Sequence, residues 1–148
     1  MALLRMDNVN LIVDDLAAAI GFFEELGMHL EGRTTVEGDW VDTCIGLGDA
    51  RCHIAMMGMP DGHGRIELSQ FERPALVNPK APHPPVNTLG FSRVMFAVDD
   101  LEDTVKRLAR HGGKLVDGIA RYEDAYHLCY VRGPGGVTIG LAEEIGDE

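Results

Sequence analysis

Apolar and polar positions alternate along NVNLIVD (8–14) and again along RVMFAVD (93–99), the period-two signature of a half-buried strand. Each run stops at a pair of aspartates, one of which can cap a helix N-terminus. The apolar positions then switch to helical spacing, at Leu16, Ile20 and Phe23 in the first case and at Leu101, Val105 and Leu108 in the second. A glycine, Gly27 or Gly112, closes each helical run as a left-handed cap. The segments VDDLAAAIGFFEELG (13–27) and VDDLEDTVKRLARHG (98–112) are therefore two copies of one strand–helix–turn unit, and the same register pairs Val9 with Val94 and Leu30 with Leu115.

Short alternating runs separated by Gly turns follow each copy. They predict strands near 29–36, 40–47, 50–57 and 64–70 in the first half and near 114–121, 125–132 and 136–143 in the second. The chain reads as two βαβββ modules, 1–71 and 90–148, joined by a connector over 72–89 whose five prolines lack amide donors and favour extended backbone. In 148 residues two such modules bury a sizeable core only by sharing one.

Two βαβββ modules that each open on a VDDL junction, with YVRGPGGVTIGLAEE (130–144) in place of an FxDPxGNxxEL ending, resemble the vicinal oxygen chelate superfamily. That group includes glyoxalase I, extradiol dioxygenases, methylmalonyl-CoA epimerase, fosfomycin-modifying enzymes and bleomycin-binding proteins. The resemblance runs from about Met6 to Glu144. It implies an α+β fold in which the modules pair edge to edge into a curved mixed sheet around a ligand cavity, with the helices outside.

Strand parity then sorts the side chains. With Val9, Leu11 and Val13 under the helix, Asn8, Asn10 and Ile12 point the other way, and in the second copy Arg93, Met95 and Ala97 take that face. On the last strand of each module the corresponding residues are Arg65, Glu67 and Ser69, and Thr138, Gly140 and Ala142. The family's metal enzymes hold their ion with one residue on the first and one on the last strand of each module. Carried over, those positions are Asn8, Glu67, Arg93 and Gly140. Arginine has no lone pair to give, glycine has no side chain, and an asparagine oxygen is a poor ligand for a transition ion. No metal and no other cofactor is expected at this location.

Charge logic offers a replacement. Arg93 can pair with Glu67 or can anchor a carboxylate, enolate or phosphate of a ligand, while Glu67 serves as base. A guanidinium supplies positive charge without Lewis acidity, so proton transfer fits better than oxygen activation. These two residues are the catalytic candidates. Asn8, Asn10, Met95 and Gly140 are expected to line the ligand site by parity. Trp40 adds a flat wall or packs in the core, and Tyr122, Tyr126 and Tyr130 flank the last hairpin, where a phenol, that of Tyr126 first, can hydrogen-bond a ligand. His53 and His127 lie on predicted strands, and no HxH or HxxxH spacing makes them a metal pair.

A formal net charge of −11 argues against nucleic acid and anionic membrane as partners. The start MALLRMDNVN holds no secretory apolar stretch, and Cys44, Cys52 and Cys129 show no CxxC spacing, so a cytoplasmic protein with buried thiols is expected. The partners implied are a small-molecule ligand and a second copy in a homodimer. Three readings stay open: a metal-independent lyase or isomerase using Glu67 and Arg93, a non-catalytic ligand-sequestering protein of the bleomycin-resistance type, and a metalloenzyme with a displaced site.

Overall fold

The computed structural model describes residues 2–146, and the chain divides into two compact units between Asn78 and Pro79. Most of the Pro-rich connector thus belongs to the second unit.

The first unit runs β1 (Val9–Ile12), α1 (Leu16–Leu26), β2 (His29–Glu37), α2 (Asp39–Ile45), β3 (Arg51–Gly58) and β4 (Arg65–Arg73). Its sheet has the order β1-β4-β3-β2, with β1 and β4 parallel and the other pairs antiparallel. The second unit runs β5 (Val94–Ala97), α3 (Leu101–Ala109), β6 (Lys114–Leu115), β7 (Ala120–Tyr122), β8 (Tyr126–Arg132) and β9 (Thr138–Glu144). Its order β5-β9-β8-β6 repeats the first, again with the parallel pair at β5 and β9. Each unit is a mixed α+β layer pair, as the repeat requires.

The repeat extends to the helix starts. Asp15 and Asp100 both sit in extended backbone, at φ −142°, ψ 97° and φ −144°, ψ 95°, and their carboxylates accept the N–H of Ala18 (3.0 Å) and Asp103 (3.1 Å). A second free N–H on each helix, that of Leu16 or Leu101, is met by a side chain from the last strand, Gln70 Oε1 at 2.8 Å or Glu143 Oε1 at 2.9 Å. Phe22, Phe23, Leu68 and Met57 are fully buried in the first unit, and Leu101, Leu108, Ile139 and Leu141 in the second. Side chains of this size each stabilise by about 1.5–3 kcal/mol on burial.

Three local expectations are corrected. The segment expected as a strand over 40–47 is the helix α2, in which Val41 is the buried residue and Trp40 is 63% exposed. Seven residues satisfy either period, and the helix wins because the Asp42 carboxylate accepts the N–H groups of Asp49 and Ala50, folding the following loop back onto it. Trp40 therefore does not pack in the core. The strand expected over 114–121 is broken between β6 and β7 by a bend at Val116–Asp117, which Val116 N–H ties to Tyr130 O at 2.9 Å. Gly112 is not the C-cap of α3: that helix ends at Ala109, and Gly112 follows in a turn at φ 83°.

Candidate functional site

In the first unit the parallel register sets Asn10 opposite Glu67. The Asn10 amide donates to Glu67 Oε1 at 2.9 Å and to Ser69 Oγ at 2.8 Å. One carboxylate oxygen is thereby fixed, and no other side-chain hydrogen bond to Glu67 occurs among the described residues. Cys52 lies against the same group. Its thiol is pushed up by burial, a Ser69 hydrogen bond opposing and the Glu67 charge adding to the effect. Asn8 precedes β1 and is half-buried.

His53 is elsewhere. Register places it beside Gln70 and Thr35, and it shares its parity with the buried Ala55 and Met57. Its Nδ1 shares a hydrogen bond with Thr35 Oγ1 (2.8 Å) and its Nε2 with Glu72 Oε1 (2.9 Å). Arg51 also donates to Glu72 at 3.0 Å and pairs with Glu37, forming a charged network on the unit's surface. The hydrogen bond from His53 first, then that from Arg51, holds the Glu72 carboxyl below its usual range.

The second unit contains an open cavity of about 450 Å³. Its wall is largely apolar, formed by Met95, Val116, Ala120 and Leu128, and its charged groups are Arg93 and Asp117. Arg93 immediately precedes β5, is exposed, and lies over the Tyr130 ring with its guanidinium carbon 4.6 Å from the centroid. Tyr130 pairs with Gly140, and a Cβ at Gly140 would run into the Met95 sulfur, so the absent side chain is what lets Met95 lie across the sheet there. Tyr126 shares the strand parity of Leu128 and Tyr130 but does not line the cavity. His127 alternates to the other face and stands 3.9 Å from Glu143, the residue that caps α3.

The structure thus brings Asn10 to Glu67, and Arg93 to Met95 and Gly140. It leaves Trp40, His53, Tyr126 and His127 outside both groups. Sequence reasoning named Tyr130 along with Tyr122 and Tyr126 as a phenol beside the last hairpin, and did not select Val116 or Asp117. The signal for Tyr130 was present, since β8 alternation gives Cys129 and Val131 to the core and Tyr130 to the opposite face. The bend at Val116–Asp117 carries none, because the local pattern over 114–121 is that of a continuous strand.

The residues do not fit the divalent ion that the fold family implies. In the second unit Arg93 brings a permanently protonated group engaged with Tyr130, and Gly140 brings nothing. In the first unit Glu67 has an amide N–H donor, not a second ligand, as its neighbour. Among the described residues no three His, Cys, Asp or Glu side chains converge as a metal set. No helix among them is long and apolar enough to cross a membrane.

Comparison with known proteins agrees with this architecture. The family model for the Glyoxalase/Bleomycin resistance protein/Dioxygenase superfamily matches residues 5–141. A search of curated proteins gives no match. A glyoxalase family protein from Bacillus cereus, known from its crystal structure, is 52% identical over 99% of this chain and 97% of its own, with a TM-score of 0.93. A glyoxalase I mutant from Zea mays shares the fold at 18% identity and TM-score 0.65, over 96% of this chain and 45% of that one. A glyoxylase/bleomycin resistance protein/dioxygenase domain from Frankia does so at 17% identity and TM-score 0.62, over 97% and 99%. The repeated β-α-β units, their parallel first and last strands and the match across nearly the whole chain place this protein in the Glyoxalase/Bleomycin resistance protein/Dioxygenase superfamily.

Proposed function

We propose that this protein binds a small organic anion in the cavity of its second unit, with Arg93 as the anchor. The observation that carries this reading is the state of Arg93. A guanidinium stacked on an aromatic face keeps its N–H fork free at the edge, and among the described residues no carboxylate takes it. In a chain of net charge −11, a cation left without a counter-ion beside an apolar wall is the place where a ligand anion gains most.

The test is calorimetric titration of 2-oxo-4-phenylbutanoate with EDTA present. The wild-type chain is expected to bind it saturably, and Arg93→Ala to lose at least tenfold in affinity. No binding, or binding that Arg93→Ala leaves unchanged, would overturn the reading.

A further inference from the structure

We infer that the ligand class of the second unit's cavity is a zwitterion of the apolar amino-acid type, its carboxylate on Arg93, its ammonium on Asp117 and its side chain against Met95, Val116 and Leu128. This rests on the reading that Arg93 anchors an organic anion.

Arg93 and Asp117 line the same cavity, yet no ion pair joins them, and among the described residues neither is tied to another charged side chain. Both are held there by one residue. The Tyr130 ring carries the Arg93 guanidinium at 4.6 Å, and the Tyr130 carbonyl accepts the N–H of Val116, the residue before Asp117, at 2.9 Å. The bend that breaks the expected strand is thus what brings a carboxylate to the cavity rim. Two opposite charges kept apart by a common scaffold are complementary to a molecule that carries both signs.

Desolvation separates this class from its neighbours. A ligand with only a carboxylate would satisfy Arg93 but would cover Asp117 with apolar surface and leave that charge without a partner. An amine alone would do the same to Arg93. A zwitterion meets both. The rest of the wall sets the side chain: Met95 and Val116 are 45% and 42% exposed, so an apolar group covering them gains area that the free chain leaves in water. The thioether and unbranched stem of Met95 adapt to rings as readily as to alkyl chains. A cavity of about 450 Å³ admits a side chain of the size of a benzyl group.

Isothermal titration at low ionic strength tests this with three probes: L-phenylalanine, 3-phenylpropionate, which lacks the ammonium, and phenethylamine, which lacks the carboxylate. L-phenylalanine is expected to bind wild type at least tenfold more tightly than either of the others. Asp117→Asn should bring L-phenylalanine and 3-phenylpropionate to within about twofold of each other, and Arg93→Ala should weaken both. Both positions are exposed, and far-ultraviolet circular dichroism shows whether the variants keep the fold. Equal affinity of the two acids for wild type, with Arg93 still required, would overturn the zwitterion and leave the anion anchor standing. Binding of neither acid, or binding that ignores Arg93→Ala, would overturn both.

Discussion

Arg93 shows how one side chain redirects a site. At a position where the family's metal enzymes keep a ligand, this chain places a group that cannot bind a cation and that stacks on Tyr130. The fork geometry matters as much as the charge. Arg93→Lys is expected to lose most of the affinity for a monocarboxylate, about tenfold, because an ammonium neither stacks flat nor offers parallel N–H groups. Titration calorimetry checks it. The thiols give a second residue-scale prediction and a correction. Cys52 and Cys129 are buried as expected, and burial pushes both thiols up, but Cys44 is exposed on α2. One thiol per folded chain should react with Ellman's reagent at pH 8, and all three in denaturant. Reaction of two or more in the folded chain would contradict this. Glu72 supplies a pH effect. Its carboxyl is held below the ordinary 4.5 by hydrogen bonds from His53 and Arg51, so the native state favours the charged form. That contribution is present above about pH 4.5 and is lost as pH falls through the lower folded-state value. Glu72→Gln should make urea stability decline less steeply below pH 4.5 than in wild type.

At the scale of elements, what was legible depended on how far apart the deciding contacts lie in sequence. Both helix starts were readable because each aspartate caps an N–H three residues ahead, Asp15 to Ala18 and Asp100 to Asp103. The supports from Gln70 to Leu16 and from Glu143 to Leu101 span 54 and 42 residues and leave no local trace. Asp15→Ala and Asp100→Ala should each cost about 1 kcal/mol in chemical denaturation. Glu143→Ala should cost a similar amount by leaving the Leu101 N–H unmet at a half-buried site. The α2 segment was misread because its length satisfies both periods, and the bond that decides it, from the Asp42 carboxylate to the backbone of Asp49 and Ala50, crosses the intervening turn. The strand over 114–121 failed for the opposite reason. Its local pattern was that of a strand, but β6 pairs with β8 at Leu115↔Val131 and β7 at Ala120↔Leu128, so about two residues more on this side than on β8 must be taken up in the bend.

For the whole molecule the repeat was the most informative feature of the sequence, since it carried the topology of both sheets and the family. It could not carry the difference between the units. In the first, Asn10 bonds to Glu67; in the second, the matching positions hold Met95 lying over Gly140. One copy has kept a polar pair and the other has opened an apolar cavity with a cation at its edge. Dialysis against EDTA should therefore leave both melting temperature and carboxylate affinity unchanged, and a rise of several degrees on adding Zn²⁺ or Ni²⁺ would count against the assignment. The account stands most directly on the Arg93 side-chain N–H resonances, identified by their loss in Arg93→Ala and followed by NMR as 3-phenylpropionate is added. They are expected to shift saturably, together with the Tyr130 ring, at the same midpoint as binding measured by calorimetry; binding that leaves them unmoved would contradict it.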